Sequence, residues 1–397
     1  MSSKIEFLQR QMTLEEKLRQ MQMLEDTTSL LENGKFSKEK ADKIFGGIGI
    51  GCVQTWQIHN LGKDEIANFV YDLQEYLKTN TRLGIPALIV AESLHGVQVE
   101  DMTVFPQIIG LSSSWDEDLV EDVARAISEE AESVGISQVF APDLDLAREP
   151  RWGRVEETYG EDPYLTAKLG ARYTRGIRHS GKIAATLKHF AAHGDPENGI
   201  NLSPVSTGER KLRELYLPPF EASIKEDPLS IMPAYSEIDG KPCHTSSKLL
   251  GKILRDELGF SGYTISDYSA IKMLYEFHKT AESNSDAGKQ ALLAGVDLEA
   301  PTEFGFGKYL LTSLKNGEIS EEDIDRAVSR VLYVKERLGL LDADYKPGRF
   351  DFDRTAHRSL ALRAAEESIV LLKNNGVLPI KKEIRKIAVI GPNSDTV

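Results

Sequence analysis

The stretch IAATLKHF, residues 183–190, joins a continuous apolar run to a lysine and a histidine at its end. A short run of this kind predicts a strand that is buried on both faces. Lys188 stands out because burying an ammonium group without a partner is costly, so an anion or a ligand must lie beside it. His189 alone would be read as a core histidine, but its place next to Lys188 at a strand end favours a functional role.

Similar runs alternate with amphipathic helices along most of the chain. GGIGIGCVQT (46–55) is the first predicted strand, PALIVAES (86–93) and YTISDY (263–268) are others, and IANFVYDLQEYLKT (66–79) is a typical helix between strands. The alternation repeats about eight times, and parallel strands need helical crossovers of this kind. We therefore predict an α/β fold of the (β/α)8 TIM-barrel type. A doubly wound open sheet is the alternative, but its phosphate-binding loop is not recognisable.

The pattern changes after residue 345, where DYKPGRFDF (344–352) is polar and rich in turn-forming residues. We expect a catalytic barrel over residues 1–345 and a linker with a helix over residues 346–385. Residues 386–397 are expected to form the first strand of a second α/β domain, of sandwich type, of which the chain contains only the start.

The composition narrows the possible partners. A net charge of -14 argues against nucleic acid and anionic membranes. MSSKIEFLQRQMTLEEKLRQM (1–21) predicts one charged helix rather than a signal peptide, and no run reaches transmembrane length, so a cytoplasmic location is expected. Cys52 and Cys243 are too few for a disulfide framework or a cysteine-based zinc site. We expect no cofactor.

Polar side chains follow the ends of the predicted strands, where a TIM barrel carries its chemistry. They are Glu92, Arg154, Lys188, His189, Tyr235, Asp267, Asp297 and Glu299. Tryptophans occur in the long loops at positions 56, 115 and 152. A sugar pocket requires charged groups that hydrogen-bond to hydroxyls and aromatic rings that pack against the apolar faces of the sugar. The sequence therefore predicts a site for a small oligosaccharide or glycoside.

Several of these residues also have structural interpretations. Glu92 could pair with an arginine at the barrel rim. Arg148 and Arg151 are expected to hold the long loop together, and Asp297 and Glu299 to stabilise the rim.

His189 and His193 have the i,i+4 spacing of a metal pair on a helix, with Asp195 nearby. The segment leaves a strand, however, and meets Gly194 and Pro196, so it is not expected to be helical. No metal site is predicted there.

The order of several sequence blocks resembles that of glycoside hydrolase family 3, of the β-glucosidase and β-xylosidase type, and covers nearly the whole chain. The blocks are ESLHG (92–96), TVFPQ (103–107), REPRWGRVEETYGEDP (148–163), LKHFAAHG (187–194), LPPFEASI (217–224), MPAYSEIDGKP (232–242), ISDYSAI (265–271), AGVDLEAP (294–301), VLLKNNGVLPI (370–380) and KIAVIGPNSD (386–395).

The resemblance implies roles for individual residues. Asp267 corresponds to the nucleophile of a retaining β-glycosidase, which forms a glycosyl-enzyme ester. The residues that match the family's sugar-binding set are Glu92, Arg154, Lys188, His189 and Tyr235. Tyr268 stands where many members have a tryptophan. We expect Lys188 and Arg154 to keep the pKa of Asp267 low, since a nucleophile must be ionised.

Two departures from the family pattern matter. Most members take the acid/base glutamate from a second domain, and a retaining enzyme needs its two carboxyl groups roughly 5–5.5 Å apart. That glutamate is therefore expected outside this chain. The branch that acts on N-acetylglucosamine instead carries an Asp and a His in the loop after K-H-F. This chain has Gly199 and Asn201 there, so that activity is not expected.

These considerations predict an exo-acting retaining β-D-glycosidase that removes terminal non-reducing sugars. A β-glucoside is the first expectation, and a β-xyloside is a close second because Glu92 reaches further into the pocket than an aspartate would. Other interpretations stay open at this point. They are a sugar-binding fragment without turnover, a β-glycoside phosphorylase, and a lyase or aldolase that forms a Schiff base on Lys188.

Overall fold

The computed structural model describes residues 2–392 and 394. Its centre is a seven-stranded sheet in which every neighbouring pair is parallel and follows chain order. The strands are β1 (Met23–Leu24), β2 (Cys52–Gln54), β3 (Leu88–Ala91), β4 (Gln138–Val139), β5 (Ala184–Phe190), β6 (Leu229–Pro233) and β7 (Tyr263–Thr264).

Two backbone bridges close this sheet into a ring. Ile265 pairs with Leu298, and Gln22 pairs with Glu299, both in parallel. The Glu299 N–H donates to the Met21 carbonyl at 2.9 Å, so residues 298–299 take the eighth strand position between β7 and β1. The predicted TIM-type α/β fold is confirmed, and the open doubly wound sheet is wrong.

Helices surround the ring. They are α1 (Ser3–Gln11), α2 (Leu14–Gln20), α3 (Lys38–Phe45), α4 (Lys63–Asn80), α5 (Ile108–Ser112), α6 (Glu117–Ser133), α7 (Pro163–Ile177), α8 (Gly208–Lys211), α9 (Pro218–Ile224), α10 (Ala270–Glu276), α11 (Asn284–Ala294), α12 (Lys308–Lys315), α13 (Glu321–Arg337) and α14 (Arg354–Glu367). Wide-turn π-helical segments occupy Leu212–Tyr216 and Lys248–Glu257.

Apolar side chains fill the interior of the ring. Leu88, Phe140 and Tyr263 belong to one buried cluster inside the strands, and Val331 and Val334 of α13 extend it. A second, larger cluster lies between the strands and the surrounding helices. Because the interior is packed, a ligand can enter only from the loops at an end of the strands.

The N-terminal region differs from the prediction. The first strand is β1, not the run at 46–55, which forms β2 as its Cys52–Gln54 part. Two residues are too short to give an apolar pattern of their own. The single helix predicted over residues 1–21 is divided into α1 and α2 because Thr13 caps α2, accepting from the Glu16 N–H while Glu16 accepts from the Thr13 N–H.

The C-terminal region also differs. Residues 386–392 form no strand, and Val389 and Ile390 are exposed, because an isolated strand has nothing to satisfy its backbone groups. Residues 393 and 395–397 of the predicted strand lie outside the described residues. The division into domains near residues 345 and 385 stays a prediction. Among the residues that the structure describes, no helix combines the length and apolar character needed to cross a membrane.

Candidate active site

A pocket of about 420 Å³ opens at the carboxyl ends of the strands. It is lined by Trp56, Glu92, Leu94, His95, Gln98, Gln107, Arg154, Glu156, Glu157, Lys188 and Tyr268. Glu92 follows β3, Arg154 lies in the loop after β4, Lys188 belongs to β5, and Tyr268 follows β7. The barrel thus brings together residues as far apart in sequence as Trp56 and Tyr268, at the edge where barrel enzymes carry their chemistry.

Lys188 is buried with an anionic partner, as its position on an apolar strand requires. Its side chain is 4% exposed, and its Nζ donates to Glu92 Oε2 at 3.2 Å. Burial works to lower the pKa of Lys188, but the carboxylates around it, Glu92 foremost, raise the pKa above its ordinary value. A Schiff-base lysine must be neutral to attack, so this environment disfavours the lyase interpretation.

Arg154 is held rigidly between an anion and two imidazoles. It makes a two-pronged ion pair with Glu157, at 2.7 and 2.8 Å. Its Nη2 lies 3.2 Å from His189 Nε2, and its Nη1 lies 3.4 Å from His193 Nε2. A guanidinium fixed in this way presents its remaining N–H groups in one geometry, which suits the recognition of hydroxyls or a carboxylate.

His189 links a buried acid to the pocket. Its Nδ1 lies 2.7 Å from Asp145 Oδ2, and its Nε2 lies 3.5 Å from Asp267 Oδ2. Burial and the positive charge of Arg154 lower the pKa of His189 well below its usual range. The ring is therefore neutral, with its proton on Nδ1 and donated to Asp145, which leaves Nε2 as an acceptor.

Asp267 is 4% exposed and is fixed on both its backbone and its side chain. Its N–H donates to His244 Nε2 at 3.1 Å, and its Oδ1 accepts the Tyr268 N–H at 2.8 Å. Among the described residues, Oδ2 is buried and has no hydrogen-bond partner. The Tyr235 hydroxyl lies near enough to the Asp267 carboxyl group to lower its pKa, but that hydroxyl donates to the Tyr268 carbonyl, so Oδ2 stays available to react.

The expected low pKa of Asp267 is wrong. Burial raises the pKa to about 6, although Arg154 and Lys188 act in the opposite direction. The cost of desolvating the carboxylate exceeds the attraction of the two cations, because these cations are shared with Glu157 and Glu92. Asp267 is nonetheless mostly ionised at neutral pH.

Two tyrosines form the wall beside Asp267. The Tyr235 hydroxyl donates to the Tyr268 carbonyl at 3.0 Å, and the Tyr268 hydroxyl donates to Gln54 Oε1 at 2.8 Å. The Tyr268 ring stands edge-on to Phe140, with ring centres 6.0 Å apart. The ring of Tyr268 thus forms an aromatic part of the pocket wall, and its hydroxyl is held by the hydrogen bond to Gln54 of β2.

Other candidates from the sequence lie outside the pocket. Asp297 pairs with Arg255 at 3.1 Å and with Arg330 at 2.9 Å, and Glu299 accepts the N–H groups of residues 304–306, so both stabilise the rim as expected. Arg151 pairs with the neighbouring Glu149 on the surface.

The three tryptophans differ in position. Trp56 lines the pocket and is 53% exposed, with its ring stacked on His59. Trp152 is buried and donates to Asn201 Oδ1 at 2.9 Å, so it supports the loop. Trp115 is exposed and is not part of the pocket lining.

A metal is not required by the groups present. His189 and His193 pack their rings against each other, with centres 4.9 Å apart, and the segment between them is not helical. One donor atom each from Asp143, Asp145 and His189 lies within 4.8 Å of the others. Because Arg154 and Lys188 stand beside these residues, a further cation would be repelled.

Asp143, Asp145, Glu157, His193 and His244 all contact the site, and none of them was predicted from the sequence. The segment FAPDLDLA (140–147) could have indicated the first two, because aspartates two residues apart on an extended segment share one face. Nothing local marks His244, which reaches Asp267 only through the folded loop after β6.

Comparisons with known proteins agree with this geometry. Residues 13–334 match the family described as "Glycosyl hydrolase family 3 N terminal domain". A β-xylosidase of Formosa agariphila is 38% identical over 82% of this chain and 48% of its own length. A periplasmic β-glucosidase of Salmonella typhimurium is 36% identical over 82% of this chain and 44% of its own length.

Solved structures show the same fold. A β-glucosidase of Erythrobacter marinus superposes with a TM-score of 0.88 at 33% identity, covering 95% of this chain and 51% of its own. A mutant β-glucosidase of Listeria innocua, in complex with laminaribiose, gives a TM-score of 0.83 at 33% identity over 96% of this chain and 54% of its own. The chain spans about half the length of the curated relatives it matches.

Proposed function

Since this chain belongs to glycosyl hydrolase family 3, we propose that it carries the nucleophile and the sugar-binding residues of an exo-acting retaining β-D-glycosidase. Asp267 is the proposed nucleophile. Glu92, Arg154, Lys188, His189, Tyr235 and Tyr268 are the proposed sugar-binding residues. The ligand is a terminal β-linked sugar of a small oligosaccharide or glycoside.

One observation carries the proposal. The free Oδ2 of Asp267 lies 3.5 Å from His189 Nε2, in a cluster where His189 contacts Arg154 and where Lys188 pairs with Glu92. A carboxylate oxygen without donors can act as a nucleophile, and the groups around it can hold hydroxyls.

The proposed reaction has two steps. Asp267 Oδ2 attacks the anomeric carbon as the bond from that carbon to the leaving oxygen breaks, and a glycosyl ester forms. Water then attacks the same carbon and releases Asp267 as a carboxylate. A second carboxyl group must protonate the leaving oxygen and later deprotonate the water. That group is expected on the part of the longer relatives that this chain does not span.

The preferred sugar is proposed to be a β-glucoside, with a β-xyloside as the close alternative. Both activities occur in the names of the relatives. The carboxylate of Glu92 projects into the pocket and is tied to Lys188, so it sits where it can bind or crowd sugar hydroxyls. Crowding a hydroxymethyl group would favour the pentose, and binding its hydroxyl would favour the hexose.

Covalent trapping tests the proposal on the chain as it stands. A 2-deoxy-2-fluoro-β-glucoside or -xyloside with a dinitrophenyl leaving group needs no acid, and the fluorine slows hydrolysis of the ester. We expect intact-mass analysis to show one adduct, located by peptide mapping at Asp267. Asp267→Asn should abolish it, and Asp344→Asn, on the surface, should not. A chain that binds the sugar and forms no adduct would refute the nucleophile assignment.

The cytoplasmic location stays part of this proposal. Cell fractionation with an antibody against the chain tests it, and recovery from an extracytoplasmic fraction would contradict it.

A further inference from the structure

We propose that Asp143 and Asp145 share a single proton, and that the resulting acid–carboxylate pair holds His189 with Nδ1 protonated and Nε2 facing the sugar pocket. Both aspartates are thus positioning residues. The charge state of the pair stands on its own geometry, whereas its effect on the reaction rests on the proposed function.

The two carboxyl groups lie close together out of water, with an oxygen of one within 4.8 Å of an oxygen of the other. They follow β4 on an extended segment, two residues apart, and are 0% and 2% exposed. Asp143 Oδ1 accepts the Asp145 N–H at 2.8 Å. Asp145 Oδ2 accepts from His189 Nδ1 at 2.7 Å and from the His189 backbone N–H at 3.4 Å.

Two oxygens are left over. Among the described residues, Asp143 Oδ2 and Asp145 Oδ1 are buried and have no hydrogen-bond partner. Ionised carboxylates can only accept, so neither could satisfy the other. One proton between them supplies both a donor and an acceptor, and it removes one of two like charges held close together without water.

The neighbouring charges do not supply the missing donors. Charged and titratable groups face the pair from three sides. They are Arg154, Glu157 and Tyr159 in the loop after β4, Lys188 and His189 on β5, and Cys243 beyond β6. Arg154 already donates to Glu157, and Lys188 already donates to Glu92. Burial accordingly raises the pKa of both aspartates well above the ordinary value for this residue type.

The hydrogen bonds indicate which aspartate carries the proton. Asp145 Oδ2 accepts from two N–H groups of His189, whereas Asp143 accepts from one backbone N–H. The group with more donors is the better place for the negative charge. Asp143 is therefore the acid, and Asp145 is the carboxylate.

The carboxylate of Asp145 then sets the tautomer of His189. With the ring proton drawn to Nδ1, Nε2 accepts from Arg154 and faces Asp267 Oδ2 as a lone pair. Nε2 is thereby kept from donating to Asp267, which preserves the free oxygen of the nucleophile.

Three variants separate these roles. Asp143→Asn puts an amide N–H where the acid O–H is proposed, Asp143→Ala removes the donor, and Asp145→Asn removes the negative charge. We expect ligand-free wild-type protein to show an infrared band of a buried carboxylic acid that is absent from Asp143→Asn. Burial raises the pKa of Glu299 to about 8, so any acid band from Glu299 should be common to both proteins. In ¹⁵N-histidine NMR, the His189 Nδ1–H signal should persist in Asp143→Asn and be lost or shifted upfield in Asp145→Asn.

The rate of covalent labelling at Asp267 supplies the functional readout. Asp145→Asn and Asp143→Ala should slow labelling about 10- to 100-fold, the factor of one lost charge-assisted hydrogen bond. Asp143→Asn should label only about threefold more slowly than wild type, because its amide restores the donor that Asp143→Ala lacks. If the two aspartates had only a structural role, the variants would yield less folded protein, and their labelling rates would not follow this order.

The outcomes distinguish this inference from the proposed function. Identical acid bands in folded, ligand-free wild type and Asp143→Asn, or equal loss of the His189 signal in both Asn variants, would overturn the shared proton. A stoichiometric metal in the purified protein, whose removal by a chelator shifts that signal, would overturn it in favour of a cation. Failure to label wild-type Asp267, with the acid band and the histidine signal present, would overturn only the proposed function.

Discussion

Lys335 should lower the stability of the protein by an amount that depends on pH. It lies on α13, its side chain is fully buried, and Nζ donates to Gln20 Oε1 at 2.6 Å. One hydrogen bond satisfies one of the three donors of an ammonium group. Burial lowers the pKa of Lys335 from its ordinary 10.5 to about 7, so the amine is largely neutral in the folded protein above that pH.

The magnitude follows from proton binding. Between about pH 7 and pH 10.5 the unfolded chain binds a proton at this lysine that the folded protein does not, so the free energy of unfolding rises with pH across that window. Burial of Lys335 therefore lowers the free energy of unfolding by about 4 kcal/mol at pH 7 and by about 2 kcal/mol at pH 9.

Lys335→Met keeps the length of the side chain and removes the titration. The substitution also leaves Gln20 Oε1 buried without a hydrogen-bond donor, which lowers the free energy of unfolding by about 1–3 kcal/mol at either pH. We expect the variant to be the more stable protein at pH 7 and to lose about 2 kcal/mol of that advantage by pH 9.

Urea unfolding at the two pH values measures this difference. Lys315→Met, an exposed lysine on α12, is the matched control and should show no change with pH. A stability difference between Lys335→Met and wild type that is the same at pH 7 and pH 9 would show that burial does not lower the pKa of Lys335.

Three further predictions concern the site and the last helix. Covalent labelling at Asp267 should slow about tenfold per pH unit below pH 6, because the raised pKa leaves the carboxyl protonated there, and a rate that stays constant down to pH 4.5 would contradict this. Lys188→Gln should raise the pKa of Asp267 further and weaken sugar binding about tenfold or more by calorimetry, whereas Lys182→Gln on the surface should change neither. His357 of α14 lies 2.8 Å from Glu130, and its pKa is raised by that contact in spite of burial, so the stabilisation is present at low pH and is lost as pH rises through the raised value. Hydrogen exchange in α14, corrected for its intrinsic pH dependence, should therefore quicken as pH rises in wild type and not in His357→Gln.

The sequence predicted the features that follow from periodicity. The apolar run before Lys188 became β5. Glu92, Arg154 and Lys188, which were placed at strand ends, line one pocket, because parallel strands in a closed ring bring their carboxyl ends to the same edge. Lys188 was informative on its own, since a lysine in such a run needs an anion, and Glu92 supplies it.

Other features depend on geometry that no local pattern encodes. Strand β1 is only two residues long, and the eighth strand position is made by single bridges at 298 and 299, so neither has a periodicity to recognise. The raised pKa of Asp267 is a balance between burial and two shared cations, and its sign depends on distances. Asp143 and Asp145 have the polar character of loop residues in the sequence, and only the fold shows that they are buried.

A crystal structure of the chain after reaction with a 2-deoxy-2-fluoro-β-glycoside would place the sugar directly. We predict an ester bond from Asp267 Oδ2 to the anomeric carbon, with ring hydroxyls within hydrogen-bond distance of Lys188 and Arg154 and beside His189. An unmodified Asp267 with the sugar bound elsewhere on the barrel, or an ester on another carboxylate of the pocket, would contradict it.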